Sequence, residues 1–126
     1  MTTFAELAAA RYVNLATFRK SGAQVPTPVW AAPAGNALYV FSAGNAGKIK
    51  RLRNSTRAQI ACCSYNGTLE SDWEGATAEI ITEPDDISLA LQALRKKYGW
   101  QMWVADVGAK LTGKFQRRAY IKVTLP

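Results

Sequence analysis

Two prolines in one extended segment constrain this chain more than any other feature. Pro26 and Pro28 lie in the stretch 24–32, and neither carries an amide N–H to give to a neighbouring strand. Such a segment suits the edge of a barrel or a bulge, and not the middle of a sheet. The segments on either side read as strands. Residues 12–18 place Val13, Leu15 and Thr17 on one face and Tyr12, Asn14, Ala16 and Phe18 on the other. The turn Lys20-Ser21-Gly22-Ala23 follows, and a second turn, Pro33-Ala34-Gly35-Asn36, leads into a strand over 37–42. Together these predict three consecutive antiparallel strands, a meander.

The rest of the chain extends the pattern. Thr3-Phe4-Ala5-Glu6 fits a capping box and predicts a short helix over 3–10. Segment 58–65 is almost wholly apolar and reads as a strand covered on both faces. Asn66-Gly67 is a hairpin signal, and a fifth strand is expected over 72–82. A helix starts at Pro84, with Asp85 and Asp86 in its first turn and Lys96 and Lys97 near its end, and Gly99 stops it. Trp100, Trp103, Val104, Val107 and Leu111 recur at helical spacing, which predicts a helix over 100–111 packed on the barrel. The alternative for these aromatics, a stacking platform for bases, carries less weight. A last strand spans 119–125. The expected architecture is mainly β with short helices: a six-stranded antiparallel barrel with peripheral helices, in one domain spanning 1–126. A barrel this small leaves little room for an internal ligand, so a ligand lies outside it or between subunits.

The chemistry concentrates in Gly47-Lys48-Ile49-Lys50-Arg51-Leu52-Arg53-Asn54-Ser55-Thr56-Arg57. A strand runs into the Gly-rich loop Ala43-Gly44-Asn45-Ala46-Gly47 and then opens a basic helix. The first turn of a helix presents free N–H groups and the positive end of the dipole, so it attracts anions. Lys48 is poorly placed for the helix in that turn, and a bound anion would offset the cost. The competing reading is a solvated basic face. With 16 Lys and Arg against 9 Asp and Glu, the chain carries a formal charge of +7. That points to an anionic partner: a charged small molecule, nucleic acid or an anionic membrane surface.

Residue types exclude much else. No histidine is present, so Ser-His and Cys-His dyads, the usual general base near neutral pH and a histidine-held haem are all ruled out. Cys62 and Cys63 are adjacent and point to opposite faces of a strand, where both read as small buried hydrophobes. They do not suffice for a structural zinc site. Chemistry must therefore come largely from a cofactor. Tyr65 and Tyr120 are the tyrosines able in principle to give a proton, and neither is assigned a catalytic role. No apolar run approaches a membrane span, and the N-terminus lacks a secretory signal, so cytoplasm is the expected location.

Phe41-Ser42-Ala43-Gly44-Asn45-Ala46-Gly47-Lys48, continuing to Asn54-Ser55-Thr56-Arg57, resembles the phosphate-binding segment of the pyridoxamine 5′-phosphate oxidase-like split barrels. The strand Tyr12 to Lys20, the Pro26-Thr27-Pro28-Val29-Trp30 segment and Leu94-Arg95-Lys96-Lys97-Tyr98-Gly99 are similar to the flavin/deazaflavin oxidoreductase branch, so the resemblance spans about 11–123. It implies a split β-barrel homodimer with one cofactor in each interface cleft. The phosphate would be held by Ser42, Lys48 and Lys50, with Arg51 or Arg53 close by, and the ring would lie against Thr27, Pro28, Val29 and Trp30. The family's cofactors include FMN and coenzyme F420, a deazaflavin with a tail of several carboxylates. The basic surplus favours F420, and the implied reaction is hydride transfer to a small organic acceptor. Alternatives are a flavin-binding or storage protein without turnover and a basic-barrel nucleic-acid binder. The latter is disfavoured because the cations cluster after a Gly loop instead of interleaving with aromatics. The sequence departs from the branch at Thr68-Leu69-Glu70-Ser71-Asp72-Trp73-Glu74, an acidic loop expected to reach toward the partner's cleft.

Overall fold

Alternating side chains sort themselves onto two sides of one sheet in the computed structural model, which describes residues 1–126. The elements in chain order are α1 (Phe4–Ala9), β1 (Tyr12–Phe18), β2 (Gln24–Val29), β3 (Ala31–Ala34), β4 (Ala37–Ala43), α2 (Gly47–Asn54), β5 (Arg57–Cys63), β6 (Glu74–Ile81), α3 (Pro84–Tyr98), α4 (Trp100–Leu111), a 3-10 turn (Phe115–Arg117) and β7 (Arg118–Thr124). Thr3 caps α1 through the reciprocal bonds with Glu6. Gly99, at φ +55°, separates α3 from α4 in a conformation that glycine tolerates best.

The sheet has seven antiparallel strands in the order β2-β1-β5-β6-β7-β4-β3, not six. The segment 24–32 forms two strands. Val29 pairs with Val13 of β1, whereas Ala31, two residues on, pairs with Val40 of β4. These neighbours belong to opposite edges of the sheet, so Trp30 turns a corner and the expected meander breaks there. The curled sheet is joined at its two edges by covalent chain and not by a ladder of hydrogen bonds. Both prolines sit on edge strand β2, with one hydrogen-bonding neighbour only, where a missing donor is tolerated.

Inside the curl, Val13 and Leu15 of β1 meet Leu38 and Val40 of β4, Ile60 of β5, and Ile121 and Val123 of β7. Leu7 of α1 and Ile49 and Leu52 of α2 join this core. Each fully buried Leu or Ile contributes about 1.5–3 kcal/mol. On the outer face α3 lays Ala90, Ala93, Leu94 and Tyr98 over β3 and β4. The turn at Asn66-Gly67 forms with Gly67 at φ +88°, but the β5–β6 ladder resumes only at Ile60 and Glu74, so the connection is a long loop. No helix is long and apolar enough to cross a membrane.

Helix α4 forms where expected but presents the opposite face. Trp100 is 73% exposed and Trp103 66%, while Met102 and Asp106 are buried. A polar anchor decides this. Asp106 lies 2.9 Å from Arg95 of α3 and 2.7 Å from Arg118 of β7, and both Asp106 and Arg118 are almost fully covered. A buried charge must keep its partner, and that requirement outweighs the burial of an apolar stripe. Asp106→Ala, which strands Arg118, is expected to lower the unfolding free energy by about 3–5 kcal/mol in urea titration. A loss below about 1 kcal/mol would show Arg118 escaping to water.

Candidate functional site

Helix α2 starts without a side-chain cap at Ala46. The N–H groups of Ile49 and Lys50 reach the Ala46 carbonyl, and those of Gly47 and Lys48 have no backbone acceptor. Beside them the half-buried Lys48 donates its Nζ to Ser42 Oγ at 3.2 Å. None of the molecule's ion pairs includes Lys48. Burial, and then the nearby Arg51 guanidinium, depress its pKa. The Ser42 hydroxyl itself donates to Ala43 O at 3.2 Å. The two free amides, the Lys48 ammonium and Ser42 thus lie around one helix start with no paired carboxylate, a setting that suits a phosphate.

A cleft of about 330 Å³ opens next to this cluster. Tyr12, Pro28, Trp30, Phe41 and Lys48 wall it, and the exposed Tyr65 stands at its rim. Trp30 is immobilised from behind. Its ring stacks on Tyr98 at 4.7 Å and 11°, and meets the Phe41 ring edge-on at 6.1 Å and 69°. The Tyr98 hydroxyl accepts from Ala31 N at 3.0 Å and donates to Arg11 O at 2.9 Å. Lys97 Nζ donates to Ala10 O at 2.6 Å and Ala31 O at 2.5 Å. Burial pushes the Tyr98 phenol up to about 12. Burial, with Arg11 close by, brings the Lys97 ammonium down to about 8. The loop after β4 is equally fixed: Gly44 N donates to Arg117 O at 2.9 Å, and a Cβ at Gly44 would sit 2.3 Å from that oxygen.

The structure brings Pro28, Val29, Trp30, Ser42 and Lys48 together around the cleft. Thr27 is not among them. It lies on the same side of β2 as the core residue Val29, and its Oγ1 is buried without a partner. Lys50 and Arg51 line a separate recess of about 520 Å³ with Arg19, Lys20 and Arg57, and the Arg51 guanidinium also lies against Gly47, close to Lys48. Arg51 Nε is anchored there on Thr17 Oγ1 at 2.6 Å. Arg53 is exposed and lines neither cavity. Helical geometry explains the division, because neighbouring cations on a helix point about 100° apart. Tyr120 is buried with Tyr39 and Ala90 under α3, outside the cleft. In the acidic loop, Asp72 lies 3.2 Å from the Met1 amino group and Glu74 accepts from Thr2 N at 2.8 Å. Two of its acids therefore hold the first residues of the same chain. Sequence reasoning missed Phe41 as a wall, Tyr98 as the support of Trp30, and Asp106. Period-2 alternation from Tyr39 flags Phe41; no local signal flags the other two.

No family model and no curated protein matches the sequence. Solved structures do match in shape. A protein of unknown function from Agrobacterium tumefaciens superposes with a TM-score of 0.70 at 18% identity, over 94% of this chain and 50% of its own length. HutZ, the heme storage protein of Vibrio cholerae, superposes at 0.68 with 10% identity, over 92% of this chain and 82% of its own. A proposed pyridoxamine 5′-phosphate oxidase from Listeria innocua gives 0.59 at 11% identity, over 91% and 83%. The fold is therefore that of the pyridoxamine 5′-phosphate oxidase-like split barrels. This chain spans half the length of the Agrobacterium protein, and identities this low carry the fold alone.

The Lys97 pKa gives a stability signature for the corner. Between pH about 8 and 10.5 the folded chain has released the Lys97 proton while the unfolded chain still holds it. The unfolded state then binds more protons, so stability rises with pH across that window. Tyr98, shifted upward, acts in the opposite sense above pH 10. The expected result is that the stability of wild type relative to Lys97→Met increases between pH 8 and 10.5 in denaturant titrations. A flat difference would place the ammonium in water.

Proposed function

We propose that this chain is a flavin- or deazaflavin-dependent oxidoreductase that binds coenzyme F420 or FMN in the Lys48 cleft. One observation carries the reading: a half-buried ammonium, hydrogen-bonded only to a serine hydroxyl, at an uncapped helix start and with no carboxylate beside it. Leaving such a charge unpaired is costly, and a phosphate relieves the cost. Lys48, Ser42 and the amides of Gly47 and Lys48 would hold the phosphate. Pro28, Val29, Trp30 and Phe41 offer a flat apolar wall for a ring system, as ligand sites require. When bound, the cofactor supplies the two-electron hydride chemistry that reduces a small organic acceptor.

The chain's own residues bind, orient and exclude water. Trp30 keeps its place because Tyr98 stacks behind it and bonds to the next backbone unit. Lys48 and Ser42 fix one end of the ligand, and no side chain at the cleft is assigned a proton. The second recess supports F420 over FMN. It gathers Arg19, Lys20, Lys50, Arg51 and Arg57 with no acid in its lining, a match for a tail of several carboxylates, whereas FMN brings one phosphate. The partner we propose is a second copy of this chain, with the cofactor at the interface. The exposed Pro28 and Tyr65 around the cleft and the exposed Trp100 and Trp103 on α4 support that.

Binding without turnover is the second reading, favoured by the likeness in fold to HutZ, a heme storage protein. The site test comes first: Lys48→Ala is expected to weaken binding of FMN and F420 by about 1.5–3 kcal/mol, the size of a charge-assisted hydrogen bond, with an unchanged unfolding curve. An unaltered dissociation constant would remove Lys48 from the site. Oxidation of the bound, reduced cofactor by added acceptors then separates enzyme from store.

A further inference from the structure

A cavity of about 600 Å³, larger than the Lys48 cleft, lies on the other side of the segment Phe41-Ser42-Ala43. The two share only that wall. Pro28, Trp30 and Lys48 do not reach the larger cavity, and Lys114, Arg117 and Arg118 do not reach the cleft. Arg118, almost fully covered, is the built support behind the cavity's Phe41 wall. Its guanidinium lies 4.5 Å from the Phe41 ring centre and 4.9 Å from that of Phe115, and is held from behind by Asp106. Rings and guanidinium planes stack on flat π-systems. Ala109 of α4 contributes only a methyl group, and the Gly44 backbone, clamped to Arg117 O, keeps the opposite wall in place.

Charge completes the picture. No carboxylate lines this cavity. The one acid behind it, Asp106, is already shared by Arg95 and Arg118, so the Lys114 and Arg117 cations have nothing to neutralise them. We propose that this cavity is a second ligand site, for a small organic anion with a flat apolar body such as an aromatic carboxylate. The body lies against Phe41, which Arg118 backs, and the acid group meets Lys114 and Arg117. The inference does not depend on what the Lys48 cleft binds.

The test is a titration of the ¹⁵N-labelled protein with 2-naphthoate, followed through the amide signals of Ala109 and Arg118, which lie away from the Lys48 cluster. Saturable shifts at both are expected in wild type and in Lys48→Ala. Affinity should fall about tenfold or more in the Lys114→Ala/Arg117→Ala double variant, as loss of charge-assisted contacts implies. The uncharged 2-naphthamide should bind correspondingly weaker than 2-naphthoate. Both altered side chains are exposed, so the double variant is expected to fold, as its spectrum itself reports. Absence of saturable shifts at Ala109 and Arg118 would overturn the proposal. So would undiminished affinity in the double variant, or loss of binding in Lys48→Ala, which would move the ligand to the other cleft. A failure of FMN and F420 to bind leaves this outcome untouched, so the two claims fail separately.

Discussion

The structure depends on one residue that belongs to no strand. Trp30 carries the chain from the edge strand β2 to the opposite edge strand β3, and so it sits where the curled sheet stays open. An open seam between two edges leaves backbone and side chains uncovered, and a protein must cover or use such a seam. Here it is used. The indole is packed between Tyr98 and Phe41, and the following peptide is tied to Tyr98 and Lys97. The corner therefore acts as a rigid wall and not as a hinge, which is the condition for presenting a flat surface to a ligand.

Against that wall stands a charge without a counter-charge. Lys48 is drawn into a half-buried position by the course of α2, whose Ile49 and Leu52 anchor it in the barrel core. Burial of those two residues fixes the helix axis and with it the direction of the ammonium. Core packing and site electrostatics are thus the same fact seen from two sides. The loop before α2 is held just as firmly, since Gly44 packs against Arg117 O with no room for a side chain. A second anchor, Asp106 between Arg95 and Arg118, sets the pose of α4 and at the same time fixes Arg118, one of the residues lining the larger cavity.

Much of this was legible in the sequence, and what was not has physical causes. The capping box at Thr3, the stop at Gly99 and the strand alternation of β1 depend on near neighbours, and each formed as read. Pro26 and Pro28 marked an edge correctly but did not reveal that the segment serves two edges, because that depends on pairing with β4, formed across the whole barrel. The face of α4 was misread because hydrophobic spacing ignores a buried acid that pairs with two arginines on neighbouring elements, 11 and 12 residues away. In the basic segment, Lys48 is hydrogen-bonded to Ser42 with the Arg51 guanidinium nearby, whereas Lys50 and Arg53 point elsewhere around the helix. Linear spacing names the charges, and only the helix axis says where they point.

The account rests on the cleft at the Trp30 corner gripping the phosphate end of a flat redox cofactor. Spectrophotometric titration of the intact protein with F420 and with FMN tests this most directly. It predicts saturable changes in the ring absorption of both, with F420 the tighter and the more sensitive to added salt, because more charges are neutralised. Ring spectra that do not change with either compound, up to millimolar protein, would contradict it.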